Sequence, residues 1–101
     1  MKTQWKKIRN KIPSSVVVNK KRYEVLWVAS FVDPDVLGEK RVDPNQIVLK
    51  TGESDKETIL TFGHELIHCI ADEYGAKLTE TQVRKMEKGI PDLIKILEEM
   101  K

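Results

Sequence analysis

Residues 54–75 read SDKETILTFGHELIHCIADEYG. Ser54-Asp55-Lys56-Glu57 has the form of a capping box, in which a serine hydroxyl accepts from the N3 amide and a glutamate reaches back. Ile59, Phe62, Leu66, Ile70 and Tyr74 then recur every three or four residues, as on the apolar stripe of an amphipathic helix. Gly75 stands where a helix closes on a left-handed residue. The spacing predicts a helix over about 55–74, with the whole stripe, Tyr74 included, facing the core.

The period is different on the N-terminal side. Tyr23, Val25 and Trp27 alternate with Glu24, Leu26 and Val28. Their β-branched and aromatic content predicts a strand from about 21 to 30. Leu26 and Val28 are apolar as well, so both faces of this strand are expected to be covered. The runs 38–42 (GEKRV) and 46–50 (QIVLK) flank Asp43-Pro44-Asn45 and read as a β-hairpin. Residues 16–50 thus suggest about three strands.

On the C-terminal side, Thr79-Glu80-Thr81-Gln82 repeats the capping signature. Val83, Met86, Ile90, Leu93, Ile94 and Leu97 then carry a helical period that Pro91 must kink or split. The expected fold is α+β: a small, mostly antiparallel three-stranded sheet packed on helix 55–74 and on a second, Pro-kinked C-terminal helix. The 101 residues suit one domain, placed at 16–101 behind a basic arm at 1–15.

Residues 1–22 hold eight Lys or Arg and no acid; the remainder has ten Lys or Arg against sixteen acids. This asymmetry suits a solvated end, or a contact through residues 1–22 for nucleic acid or an acidic partner. Trp5 and Ile8 would dock the arm, or Trp5 would stack on a base. No run of eighteen apolar residues predicts a membrane span, and the N-terminus lacks the apolar stretch of a secretory signal. A single cysteine, Cys69, excludes an internal disulfide and points to a reducing, cytoplasmic setting.

Both histidines of the chain fall on one turn, as His64-Glu65-Leu66-Ile67-His68. At i and i+4 their rings share a helix face and converge on one ion. Neutral imidazole suits zinc. Glu65 is rotated toward a water on that ion and has the reach of a general base. This H-E-x-x-H pattern points to zinc-dependent hydrolysis when it lies on a helix. A catalytic zinc usually has three protein ligands, and no third histidine exists. Cys69 is turned toward the core. Asp72 lies on the same rod as both histidines and suits outer support. A ligand from the next helix closes the cage better: Glu80 is preferred and Glu87 is the alternative.

The stretch ETILTFGHELIHCIADEYGAKLTETQV (57–83), preceded by VDPNQIVLK (42–50), resembles the minimal zincin-like metallopeptidase domains of phage and prophage proteins, related in layout to gluzincins and ImmA/IrrE-type peptidases. The resemblance covers about residues 20–97. It implies a twisted sheet on the active-site helix, His64, His68 and Glu80 as zinc ligands, Glu65 as base, and a peptide substrate bound along an edge strand at 38–42 or 46–50. The additional Tyr or His of larger members has no counterpart placed by a motif here. The alternative is a non-catalytic, zinc-stabilised binding module whose basic arm contacts nucleic acid or a partner protein. A third reading keeps the peptidase site but restricts it to one cellular protein.

Overall fold

The structure, a computed structural model, describes residues 4–100. The part of the basic arm at residues 1–3, Lys2 included, lies outside them. In chain order the elements are α1 (Trp5–Arg9), β1 (Ser15–Val18), β2 (Lys21–Val28), β3 (Gly38–Arg41), β4 (Gln46–Lys50), α2 (Asp55–Glu73), α3 (Glu80–Glu87) and α4 (Ile90–Glu99).

The domain is α+β, but its sheet has four strands rather than three and is mixed rather than mostly antiparallel. The strand order is β1-β2-β4-β3. β1 and β2 form an antiparallel hairpin, as do β3 and β4, while β2 and β4 run parallel. The added strand follows from Asn19 and Lys20, both at positive φ (49° and 67°). Two successive left-handed residues make the tight turn that matches strand twist. The parallel pair follows from the loop at 29–37. It carries the chain past one strand position, about 10 Å across, and the 38–50 hairpin brings β4 back into the gap. β4 is therefore interior, with Ile47, Val48 and Leu49 all at 0% exposure. Residues 46–50 are not an edge; β3 is.

β2 stops at Val28 and packs one face well. Tyr23 and Val25 are buried, whereas Leu26 on the opposite face is 40% exposed. The expected cover on both faces is incomplete at Leu26, although its β4 partner on that face, Val48, is 0% exposed. The core joins Val18, Tyr23, Val25, Ile47 and Leu49 to Cys69 of α2, with Phe62 and Leu66 packed against them. Cys69 is core, as its position implied.

α2 starts at Ser54, whose hydroxyl accepts from the Glu57 amide at 3.1 Å, and closes at Gly75 with φ +71°. Its buried line runs Thr58, Ile59, Glu65, Cys69 and Ala71. The expected stripe fails at its end: Ile70 and Tyr74 are 50% and 66% exposed. The helix is turned so that Glu65 and Cys69 face the sheet side instead.

The single Pro-kinked helix is in fact two. Gly89 precedes α4, and Pro91 sits in its first turn, where a missing amide costs nothing. α4 seats Ile90 against Gly63; a Cβ at Gly63 would come within 2.3 Å of the Ile90 side chain. α1 packs on the start of α2. Arg9 pairs with Asp55 at 3.5 Å and stacks 5.2 Å from the Trp27 ring. The β1–β2 turn is anchored at the other end of α2 through Asn19 Nδ2, which donates to the Glu73 carbonyl at 3.0 Å. Two basic residues of the 1–22 segment thus meet acids at opposite ends of this 19-residue helix: Arg9 at Asp55, and Lys21 at Glu73 at 3.3 Å. Among the described residues no helix is long and apolar enough to cross a membrane.

Candidate metal centre

α2 presents His64 and His68 on its flank, with ring centroids 4.9 Å apart and planes at 64°. α3 comes back alongside because Gly75 turns the chain and Thr79 caps the new helix in a complete capping box with Gln82. Glu80, first residue of α3, then stands over the histidines. Its Oε1 lies 2.8 Å from His64 Nε2 and its Oε2 lies 3.0 Å from His68 Nε2. One ligand atom from each of His64, His68 and Glu80 falls within 4.8 Å of the others. Glu87, two turns on, contacts the opposite nitrogen, His64 Nδ1, at 3.0 Å. The structure brings Glu80, not Glu87, to the Nε2 side.

This donor set fits zinc. Two imidazoles and a carboxylate are its usual ligands, and tetrahedral zinc at about 2.0–2.1 Å spaces its donors about 3.3 Å apart. The Nε2-to-carboxylate distances need to open by a few tenths of an ångström, and the widest separation in the set, up to 4.8 Å, needs to close. The hydrogen-bond inventory points the same way. Both nitrogens of His64 face carboxylate oxygens, yet a neutral imidazole carries one N–H. A neutral ring that donates Nδ1–H to Glu87 presents its Nε2 lone pair to a cation, the usual arrangement of a metal-bound histidine and its outer carboxylate. Asp72 holds no such position on His68; its Oδ2 is 2.7 Å from Lys40 Nζ.

Glu65 is 8% exposed and lines the same two cavities as His64 and Glu80, of about 480 and 370 Å³. Burial raises its carboxyl above the ordinary range; His64 and His68 pull it back, and Glu80 and Glu39 push it further up. A carboxyl held above its ordinary range is a stronger base than a free one. For Glu80, burial pushes up, but the two histidines more than offset it and the net direction is down. A carboxylate that stays ionised is suited to a metal. On the core side, burial pushes the Cys69 thiol up to about 12. It is inert there, not a ligand.

β3 borders the cleft. Gly38, Glu39 and Lys40 line the smaller cavity with both histidines, and Gly38 lies so close to α2 that a Cβ there would meet Thr61 at 2.4 Å. The outer edge of β3 pairs with no strand among the described residues. Sequence reasoning did not single out Lys40 or Arg84, which also line the cleft. For Arg84 the available signal was its place one turn after Glu80. Comparison with protein-family models, with curated proteins and with solved structures found no match.

Proposed function

We propose that the chain is a zinc-dependent peptidase of a cytoplasmic, reducing setting, with His64, His68 and Glu80 as ligands and Glu65 as general base. One observation carries the reading: two Nε2 atoms and a carboxylate from separate helices converge beside a buried glutamate. When bound, zinc lowers the pKa of a water toward about 7 and polarises a carbonyl oxygen. Glu65 takes a proton from the attacking water and returns it to the amine nitrogen as the C–N bond breaks; the hydroxyl remains on the carbonyl carbon. Glu87 keeps the His64 ring in one orientation. The free edge of β3 offers amides and carbonyls to an extended peptide, a mode in which main-chain hydrogen bonds supply affinity.

The test is Glu65→Gln. It is expected to keep one zinc per chain by metal analysis and to lose about 10²–10⁴-fold in turnover of a peptide found by library digestion. Full activity in this variant would remove Glu65 from the mechanism. A second reading has its own observation: α3 buries only Val83 and α4 buries nothing, so an ion joining α2 to α3 would staple a weakly packed helix pair. That reading wins if chelation melts the fold in calorimetry while no peptide is cut.

A further inference from the structure

Resting on the peptidase reading, we infer that Arg84 is the donor to the carbonyl oxygen when water adds to the substrate. Addition makes that oxygen an anion, and a preorganised donor at such a site is worth about 10²–10³ in rate, an exposed one less. Both histidines are taken by the metal centre. Tyr23 is 1% exposed and bonded to Glu73 beneath the sheet. Tyr74 lines an apolar groove with Ile67, Ile70 and Met86, away from the histidines. Lys40 lines the smaller cavity, but its side chain is 16% exposed and its ammonium is held by Asp72 at 2.7 Å.

Arg84 is placed differently. It lines the larger cavity with His64, Glu65, Glu80 and Glu87. Its Nε stands 3.6 Å from Glu80 Oε1, the oxygen that faces His64 Nε2 at 2.8 Å. A 3.6 Å contact is too long for a hydrogen bond, so the guanidinium is drawn to the donor cluster without being fixed by it. The side chain is 73% exposed and lines the cleft. Lys88, the residue that caps the far end of α3, lines the same cavity but follows Glu87, two turns from the Glu80 carboxylate that meets both Nε2 atoms. The planar guanidinium carries five N–H donors and stays charged at any working pH. It donates hydrogen bonds to the oxyanion and transfers no proton. The electron pair returns to the carbonyl as the amine leaves, and the contact weakens.

The experiment takes a peptide cleaved by the wild-type chain and prepares two uncleavable versions, one with a phosphonamidate and one with a reduced amide at the scissile bond. The phosphonamidate carries the anionic oxygens; the reduced amide has none. Arg84→Ala is expected to lower kcat about tenfold, less than the loss of a preorganised, water-excluded donor, and to weaken phosphonamidate binding by a similar factor. Reduced-amide affinity stays within threefold, and zinc affinity by chelator competition is not weakened. Arg84→Lys falls between wild type and Arg84→Ala on both kcat and phosphonamidate affinity. Phosphonamidate affinity unchanged in Arg84→Ala overturns the inference. So does a parallel loss of zinc, which would mean that Arg84 acts through Glu80. A wild-type chain that cuts no peptide fails at the earlier step: it removes the peptidase reading, and this inference with it.

Discussion

The two sides of α2 are built on different physics. Toward the sheet, Cys69 joins Tyr23, Val25, Ile47 and Leu49, and none of these is more than 5% exposed. Toward α3, contact rests on one buried residue, Val83, and on carboxylates facing histidines. The first side excludes water and stabilises by area; the second depends on charge and on whatever completes the donor set. Fold and site are therefore separable. A small core sits on one face of a helix, and the other face is free to carry polar groups that no core would tolerate unpaired.

The harshest way to break that division is to damage the core. Leu49→Ala is expected to cost about 2–5 kcal/mol, since a fully buried leucine is replaced by a cavity. Sheet and α2 should melt together in urea, followed by tryptophan fluorescence and far-ultraviolet dichroism. Val83→Ala, on the other side, should speed amide exchange in 80–99 while leaving the β2 and β4 amides protected. Equal loosening of both regions by either variant would show that the two sides are one cooperative unit.

The metal centre sharpens the same contrast at a smaller scale. Glu80→Ala is expected to abolish zinc retention. Glu87→Gln is expected to weaken zinc by about 10–100-fold, the usual cost of losing an outer carboxylate behind a histidine. Neither should shift the urea midpoint of the metal-free chain by as much as Leu49→Ala. Chelator competition on both variants checks this. A larger zinc loss in Glu87→Gln than in Glu80→Ala would reverse the two roles.

What could be read beforehand divides along the same line. The ends of α2, the H-E-x-x-H face and the box at Thr79 are local: each is a few adjacent residues, and in the two caps side chains meet their own backbone. Strand order is not local. Three consecutive apolar residues, Ile47-Val48-Leu49, hint at a strand covered on both faces, but nothing in 38–50 says which strand β4 joins. Nothing local announces β1, because its turn uses Asn19-Lys20 with no glycine to mark the left-handed conformation. The misplaced stripe of α2 has a cause in the site itself. The buried line passes through Glu65, a charged residue that apolar spacing steps around, so apolar spacing alone runs through Ile70 and Tyr74 instead. The third ligand was legible only as a choice of two, because residues 80 and 87 lie on nearly the same face of α3. Which imidazole nitrogen each one meets depends on how that helix crosses α2.

The finest probe lies where the core side itself turns polar. Tyr23 reaches through the buried layer to donate to Glu73 Oε2, and Lys21 Nζ lies 3.3 Å from Glu73 Oε1. Glu73 ends α2, where a negative charge meets the unfavourable end of the helix dipole. Its partners offset that: the Tyr23 hydrogen bond, then the Lys21 ammonium, hold the carboxyl below its usual range despite burial. Burial first, and the bond to Glu73 second, push the Tyr23 phenol up. The signs are opposite. The lowered Glu73 contributes stability above its unfolded pKa of about 4.3, lost as pH falls through the folded value. The raised Tyr23 contributes stability below its unfolded pKa of about 10, lost as pH rises through the folded value. The gap in urea midpoint between wild type and Tyr23→Phe should be widest between these limits and narrow on both sides, because the phenyl ring keeps the packing and removes only the hydroxyl. A gap that stays constant across the whole range would mean that the pair adds nothing and that apolar area alone holds this end of α2 to the sheet.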